Sequence, residues 1–247
     1  MKVNDRDAVK LHFERLAGTY GENFAARRSG RTYLFRKRLQ VIDRLLRESS
    51  GVLLDCACGT GDITAAALRS GAFRCATVVD VSHEMLRLCA ERLRSVPRVE
   101  VAYVEGDVFE YVPPEGVQFD AILCLGLVAH TGRLSELLQH VKRMLAPSGR
   151  VFLQTSLADH VGVRLVRLLT RRRFHRRHGY EMSYFTIGDV RAACSDSGLM
   201  IKEVHRYYFG ALFLDRVCAP ANYWLERVMS RLAAAGGAEG IFVLGLN

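Results

Sequence analysis

The chain has 247 residues, of which 49% are hydrophobic and 25% are charged, and its net charge is +9. This composition suits a globular protein with one large domain, or one domain with a cap, whose core needs no disulfide support. The charged start has no apolar stretch typical of a secretory signal, and no apolar run reaches the ~18 residues of a membrane span. Seven scattered cysteines favour reduced thiols, so we expect a cytoplasmic protein. Cys56 and Cys58 have no second cysteine or histidine pair at zinc-ligand spacing, so we predict no metal site.

In chain order, the first predicted unit is helical. Apolar residues recur at helical spacing between residues 5 and 48, on both sides of the sequence RRSGRT, which predicts two or three helices. We assign residues 1–48 to this N-terminal helical cap.

From residue 49 onward, short apolar runs alternate with helical segments. Such alternation predicts a parallel, doubly wound α/β sheet. One domain then covers residues 49–247, with a basic helical insert at 157–186 after the fifth strand and further helices at 187–197 and about 215–234. The predicted strands are 52–55, 76–80, 99–104, 119–124 and 150–155, with a sixth and a seventh near 201–210 and 241–247.

The positive charge is concentrated in that insert. The segment RLVRLLTRRRFHRRH, residues 164–178, contains seven arginines, two histidines and no acidic residue. It is compatible with a solvated basic helix face, an anionic substrate, an acidic membrane surface or nucleic acid. The segment alone leaves all four interpretations open.

The segment VLLDCACGTGDIT, residues 52–64, carries the main binding motif. Its apolar run ends at Asp55 and is followed by small residues that include Gly59 and Gly61. We expect both glycines to let the backbone approach a ligand, because a Cβ at either position would collide with that ligand. Ligands of parallel sheets bind beyond the carboxyl ends of the strands, where this segment is predicted to lie.

Two classes of ligand use such a loop, and the acidic residues discriminate between them. A dinucleotide-binding loop would have a third glycine where this chain has Thr64, and Asp55 would repel a diphosphate. An ammonium group suits Asp55, and Asp80, at the end of the second strand, can accept hydrogen bonds from two ribose hydroxyls. An adenosine with a cationic amino-acid tail satisfies both carboxylates. We therefore predict S-adenosylmethionine (SAM) as the cofactor and S-adenosylhomocysteine (SAH) as its product.

Over about residues 50–156 the chain resembles the class I SAM-dependent methyltransferases. LDCACGTGD resembles their first motif, with Ala57 in place of its first glycine, VVDVSHEML the second, VEGDVFEY the third and FDAILCLGLVAH the fourth. The resemblance implies a Rossmann-like, doubly wound sheet of seven mostly parallel strands. It also implies the cofactor-binding residues, which are Asp55, Ala57, Cys58, Gly59, Gly61, Asp80, Val81, Met85, Asp107, Val108, Leu125 and Gly126.

The same resemblance assigns roles within this set. Asp80 is expected at the ribose, Met85 on the adenine ring, and Asp107 and the Val108 amide at the adenine nitrogens.

The N-terminal segment adds two tyrosines to the candidates. FERLAGTYGENF and SGRTYLFRKR resemble the cap of quinone C-methyltransferases and aminosugar N-methyltransferases, where tyrosines close over the cofactor's carboxylate and methyl group. The resemblance therefore implies Tyr20 and Tyr33 as cofactor-binding residues. The alternative is that both are core residues of the cap.

His130 is the candidate catalytic base. It follows Leu125 and Gly126, which the fourth motif places at the methyl-donor end, and its ordinary pKa of ~6.5 would let it accept a proton near neutral pH. The alternative is that it caps the next helix or orders the loop. The tetrapeptide (D/N)PP(Y/F) of many N-methyltransferases is absent here, which favours an oxygen or carbon acceptor.

The predicted acceptor is a small molecule or a lipid, and anionic. The arginine-rich insert is followed by the apolar and aromatic stretches YEMSYF, RYYFGALFLDRV and ANYWLERVMSRLAAA. The same residues suit peripheral contact with an anionic membrane, or they complete the core. RNA methylation and a non-methylating cyclase or scaffold role are the alternatives. The oligomeric state, including a homodimer, stays open.

Overall fold

The structure, a computed structural model, describes residues 6–20, 28–96, 99–210, 214–232 and 236–247. Helices and strands alternate along most of this chain, as the apolar pattern predicts. Their order is α1 (Arg6–Tyr20), α2 (Gly30–Leu46), β1 (Ser50–Asp55), α3 (Asp62–Ser70), β2 (Ala72–Asp80), α4 (His83–Leu93), β3 (Glu100–Glu105), β4 (Phe119–Leu125), α5 (Leu127–Thr131), α6 (Leu134–Met144), β5 (Leu145–Ser156), α7 (Val161–His178), α8 (Ile187–Ser197), β6 (Leu199–Tyr207), α9 (Asp215–Leu232) and β7 (Glu239–Leu246).

Seven strands form one sheet in the order β3-β2-β1-β4-β5-β7-β6. Neighbours from β3 to β5 pair in parallel, while β7 pairs antiparallel with both β5 and β6. This topology confirms the predicted Rossmann-like, mostly parallel sheet. The chain winds outward from β1 to β3 and then returns to the other side of β1 with β4. Such a reversal opens a crevice beyond the carboxyl ends of β1 and β4, where sheets of this kind bind their ligands.

The central strands are buried on both faces. Leu53 and Leu54 are each 0% exposed, yet they belong to different cores because successive side chains point to opposite faces. Leu54 packs in the core that contains Leu137 of α6, whereas Leu53 packs in the core that contains Ile42 of α2. A strand covered on both sides reads as a continuous apolar run, which is why VLLD shows no alternation.

The two N-terminal helices take different places. α2 packs against α3 and α9, and its Ile42 and Leu46 are fully buried. α1 packs against α4 and contacts α5 and α7. Helix α1 therefore lies over the carboxyl ends of the strands, next to the crevice.

The basic insert forms a single helix, as predicted. α7 begins after His160, whose ring accepts from the Gly162 amide at 3.1 Å, and ends at Gly179 with φ of 77°. None of the helices in the described part of the chain is both long and apolar enough to cross a lipid bilayer.

The structure departs from the predicted elements at three points, the first being strand β2, which begins at Ala72 rather than at residue 76. Strand β5 begins at Leu145 rather than at residue 150, because Leu145 already pairs with Phe119 before the register shifts. The short helix α5 was not predicted. It lies between Gly126 (φ 82°) and Gly132 (φ 73°), whose left-handed backbone begins and ends it within five residues.

Candidate functional site

A cavity of about 730 Å³ lies beyond the carboxyl ends of the parallel strands. Loops after β1 to β4, the end of β5, and helices α1, α2 and α7 form its walls. The predicted site residues that line it are Tyr20, Ala57, Gly59, Asp80, Val81, Met85, Asp107, Val108, Leu125, Gly126 and His130. The predicted site residues absent from its lining are Tyr33, Asp55, Cys58 and Gly61.

The loop after β1 is held by both neighbouring strands. The Cys56 amide donates to the Leu123 carbonyl of β4 at 2.9 Å, and the Cys58 amide donates to the Val79 carbonyl of β2 at 3.2 Å. Ala57 lies between these two anchors and lines the cavity. The position of the loop is thus set by the sheet and does not depend on a ligand.

Asp80 organises the next loop as well as lining the cavity. One carboxylate oxygen accepts from the Gly59 amide at 2.8 Å, and the other accepts from the Ser82 amide at 3.0 Å. The Ser82 hydroxyl in turn accepts from the Met85 amide at 3.2 Å and begins α4. Burial raises the pKa of Asp80. A carboxylate held in this way is presented to the cavity in a fixed orientation.

The two glycines of the loop are required for different reasons. Gly59 (φ 52°) lines the cavity, and no protein atom lies within 4 Å of the place a Cβ would take. At Gly61 (φ 74°) a Cβ would lie 2.7 Å from Cys89 Sγ of α4. The expectation that both glycines make room for a ligand therefore needs correction, because Gly61 makes room for the packing of α4.

Asp55 lies beneath the loop rather than in the cavity. Its carboxylate accepts from the Thr64 hydroxyl at 2.7 Å and from the Ala57 amide at 3.4 Å, and the residue is 3% exposed. Burial raises its pKa to about 6. The direct contact with an ammonium group that the sequence suggested is thus not supported, since Asp55 connects β1 to α3 inside the protein.

Asp107 stands at the opposite side of this region. Its carboxylate accepts from the Phe109 amide at 3.1 Å, and the Arg6 and Arg133 side chains lie 3.8 and 3.7 Å from it. Met85 is 0% exposed although it lines the cavity. Asp107, Arg6, Arg133 and Met85 thus line the same side of the cavity.

The two candidate tyrosines are separated by the fold. Tyr20 ends α1 and lines the cavity. Tyr33 is buried between α2 and α9, with its ring 5.7 Å from that of Tyr223 in an edge-on arrangement. Tyr33 therefore has the packing role that was its alternative interpretation, because the side of α2 that carries it faces α9.

His130 lies in a cluster of aromatic side chains at the other end of the cavity. Its Nδ1 atom is 2.9 Å from the Tyr180 hydroxyl, and the ring lies 4.9 Å from Phe13. Burial lowers the pKa of His130 to about 3, with smaller contributions from His12, Arg38 and His178. Burial also lowers the pKa of His12 to about 4, and His178 adds to that effect. The imidazoles of His130 and His12 are therefore neutral at physiological pH.

Several cavity residues were not predicted from the sequence. Gln154 and Ser156 of β5 both donate to the buried carboxylate of Glu239 on β7, and the Ser156 contact is 2.5 Å long. Burial raises the pKa of Glu239, while Arg38 opposes that shift. Arg31 and Arg177 also line the cavity. No local motif marks these residues, because strand pairing and helix packing bring them together from four separate segments.

The wall around these residues is apolar and aromatic. It includes Phe13, Leu34, Phe35, Val163, Val166, Phe174 and Tyr184. The arrangement can hold an amphiphilic molecule whose charged group faces arginine and whose apolar body contacts the wall.

Comparison with known proteins identifies the central segment. A family model described as "Methyltransferase domain" matches residues 53–149. The malonyl-[acyl-carrier protein] O-methyltransferase of Halalkalibacterium halodurans is 26% identical over 157 residues, which cover 61% of this chain and 55% of that protein. The ubiquinone biosynthesis O-methyltransferase of Xanthomonas axonopodis pv. citri is 27% identical over 119 residues, 48% of each chain. The chain thus spans about half the length of the curated relatives it matches.

Solved structures show the same fold over nearly the whole chain. The magnesium protoporphyrin IX methyltransferase of Synechocystis, crystallised with bound SAH, has a TM-score of 0.69 at 13% identity and covers 98% of this chain and 100% of its own. A possible histamine N-methyltransferase of Thermotoga maritima has a TM-score of 0.66 at 17% identity, covering 96% of this chain and 99% of its own. Residues 53–149 thus match the model of a methyltransferase domain, and the described chain has the fold of methyltransferases crystallised with SAM or SAH.

Proposed function

We propose that this protein is a SAM-dependent methyltransferase that acts on an oxygen or carbon atom of a small molecule with an anionic group and an apolar body. One observation carries the proposal: a single cavity combines an end that holds the motif carboxylates Asp80 and Asp107 with an end that holds aromatic side chains and arginines. The first end suits a cofactor with hydroxyl and amino donors. The second end suits an acceptor of opposite charge to its arginines.

The acidic end has the groups that SAM requires. The fixed carboxylate of Asp80 can accept hydrogen bonds from two ribose hydroxyls. Met85 and Val108 offer apolar surfaces to an adenine ring, and Asp107 lies at the edge where its amino group would donate. Beside Gly59 the chain leaves room for a ligand to approach the backbone. These residues would hold the cofactor through side chains whose positions are already set by the sheet.

The basic end supports an anionic acceptor. Arg31 and Arg177 reach the cavity from α2 and α7, and neither forms an ion pair with an acid in the part of the chain described by the structure. An unpaired cation in a partly apolar cavity favours a carboxylate or phosphate there. The inner side of the basic insert therefore supports the substrate interpretation of its charge.

Methyl transfer in this cavity requires mainly alignment and the exclusion of water. SAM, when bound, supplies a methyl group activated by its positive sulfonium. Leu125 and Gly126 would stand beside that group, and the aromatic cluster at His130 would hold the acceptor opposite to it. Residues that fix two reactants in line can contribute roughly 7–11 kcal/mol of the barrier.

We propose that His130 positions the acceptor and does not act as a strong base. A general base works best when its pKa lies near the working pH, and burial lowers the pKa of His130 to about 3. The neutral ring is held by its contact with Tyr180. It can orient an acceptor hydroxyl through a hydrogen bond without removing the proton before transfer.

A label-transfer assay tests the proposed function. The purified protein is incubated with methyl-labelled SAM and three fractions of a bacterial extract: polar metabolites, lipids and RNA. We expect label in the metabolite or lipid fraction, and less label when Asp80 is replaced by alanine. Label that appears only in the RNA fraction would favour the alternative that the acceptor is a nucleic acid. Bound SAM with no label in any fraction would favour the cyclase or scaffold alternative.

A further inference from the structure

Helix α9 exposes several apolar side chains and buries two polar ones, although its Tyr223 packs inward against Tyr33. Asn222 and Glu226 face inward and are 2% and 0% exposed. Val217, Trp224 and Val228 face outward and are 82%, 46% and 51% exposed. Surface helices normally bury their apolar side, so this outward side, which the described residues leave exposed, is a candidate contact surface. We call the surface formed by Trp224, Leu225 and Val228, which follow the break in the helical backbone at Cys218, the α9 face.

The inward polar residues have a structural task, which explains why they are buried. Asn222 donates to the Asp215 carboxylate at 2.7 Å, and that carboxylate accepts from the Gly30 amide at 2.7 Å at the start of α2. Glu226 accepts from the Phe209 amide at 2.8 Å. These contacts hold α9 against α2 and the loop after β6. They do not require any apolar residue on the α9 face.

Cations surround the α9 face. Arg28 and Arg227 lie over the Trp224 ring, with the guanidinium carbons 5.6 and 5.2 Å from its centroid. Arg36 lies in the same shallow depression. Within the described residues, none of these three arginines forms an ion pair with an acid. An exposed tryptophan with leucine and valine beside it, surrounded by arginine, is the residue pattern of helices that lie in a membrane interface.

We propose that the α9 face docks on the surface of an anionic lipid bilayer. The apolar side chains would enter the headgroup region, and the three arginines would contact lipid phosphates, each adding roughly fivefold in affinity. A second copy of the chain is disfavoured as the occupant, since a symmetric contact would bring the same arginines face to face. The inference is independent of methyl transfer, because none of these residues lies in the catalytic cavity.

Helix α7 repeats this chemistry beside the cavity. Its inner side lines the cavity, while Leu168 and Leu169 on its outer side are 80% and 62% exposed. Arg172 and Arg176 are exposed on the same helix. A bilayer near this helix would place the acceptor end of the cavity next to lipid.

Trp224 gives a direct test without any substitution, because it is the one tryptophan of the chain. The full chain is mixed with vesicles of phosphatidylcholine, or of equal parts phosphatidylcholine and phosphatidylglycerol. We expect the fluorescence of Trp224 to shift to shorter wavelength with the mixed vesicles, and the protein to co-sediment with them at low salt. Absence of both effects would overturn the proposal, as would equal binding to the uncharged vesicles.

Variants then test which surface makes the contact. Val228→Glu should weaken co-sedimentation with the mixed vesicles about tenfold, whereas Val112→Glu, at an even more exposed valine elsewhere, should leave it unchanged. Arg227→Gln should weaken it about fivefold, and Arg143→Gln on α6 should not.

Affinity for SAH serves as the check on folding in every variant. Unchanged binding by a folded Val228→Glu protein would overturn the assignment. A wild-type dimer that Val228→Glu dissociates would replace the bilayer with a second copy. If the wild-type protein binds the mixed vesicles but not SAH, only the proposed methyl transfer is contradicted.

Discussion

The two ends of the cavity are built in opposite ways. The cofactor end comes from consecutive loops after β1, β2 and β3, so Asp80 and Gly59 are positioned by residues close to them in sequence and by adjacent strands. The acceptor end is assembled from α1, α2, α5, α7, β5 and β7, so Phe13, His130 and Tyr180 meet only in the folded chain. The first end holds the carboxylates of Asp80 and Asp107, with Arg6 and Arg133 beside Asp107. The second end holds aromatic side chains and arginines together with Glu239.

This difference explains why binding of the cofactor and selection of the acceptor depend on different parts of the fold. A ligand common to a fold can be recognised by backbone loops that the sheet itself fixes. A ligand particular to one protein needs side chains from elements that pack in a particular way. Changes at the cofactor end should therefore abolish binding of SAH, and changes at the acceptor end should alter the acceptor while SAH still binds.

The largest effect is expected at Asp80. Replacement by alanine should weaken SAH binding at least about a hundredfold, because each hydrogen bond to a charged group contributes about 1.5–3 kcal/mol. Isothermal titration calorimetry with SAH and its 2′-deoxy analogue measures this. The wild type should discriminate between the two ligands and Asp80→Ala should not. Equal discrimination by both proteins would show that the carboxylate only braces the loop.

The two ends should respond to pH in opposite directions. Burial raises the pKa of Asp55 from 3.8 to about 6, so its folded form holds a proton that the unfolded chain releases, and stability is lost as pH rises through that window. Burial lowers the pKa of His130 from 6.5 to about 3, so stability is lost as pH falls below 6.5. At about 1.4 kcal/mol per pKa unit, the limits are about 3 and 5 kcal/mol.

Urea unfolding across this pH range measures both effects. Asp55→Asn should reduce the loss on the alkaline side, to which the raised pKa values of Asp80 and Glu239 also contribute. His130→Gln should reduce the loss on the acid side, to which the lowered pKa of His12 also contributes. Curves of free energy of unfolding against pH that run parallel to that of the wild type would contradict the burial of these two groups.

The loop glycines test whether ligand and packing requirements are separate within the cofactor end. Gly61→Ala should lower the free energy of unfolding by about 2 kcal/mol. The new Cβ would contact Cys89, and the left-handed backbone at this position costs a non-glycine residue up to about 1–2 kcal/mol of that total. Gly59→Ala should lower it by only about 1 kcal/mol yet weaken SAH binding about tenfold. Cys89→Ala should partly restore the stability of Gly61→Ala. Equal effects of the two substitutions on SAH binding would remove the distinction.

The smallest effect is expected at the edge of the acceptor end. Arg177→Gln should raise the KM for an anionic acceptor about fivefold, since an exposed guanidinium contributes on the order of 1 kcal/mol. SAH affinity should stay unchanged. Arg143→Gln on α6 removes one positive charge away from the cavity and serves as the matched control. A lower SAH affinity in Arg177→Gln, with KM unaltered, would place the residue at the wrong end.

Features set by local sequence could be predicted, whereas features set by the packing of distant segments could not. The sheet, the helix α8 and the position of Asp80 at a strand end could be predicted, because apolar periodicity and the turn after a strand are local properties. The packing role of Gly61 could not be predicted from the sequence, because Cys89, which a Cβ at this position would contact, lies on the following helix. Trp224 illustrates another limit: its apolar segment was compatible with core or surface, and the structure places it on the surface.

The sequence by itself determined the fold class, the carboxyl-end position of the binding loop and the type of cofactor, because these depend on short-range pattern and on the geometry of parallel strands. Only the tertiary structure decided which side chains share the cavity. It buried Asp55 and Tyr33 away from it, gave His130 a neutral ring, and brought Gln154 to Glu239. Burial and long-range packing set those outcomes, and both depend on contacts between segments that are far apart along the chain.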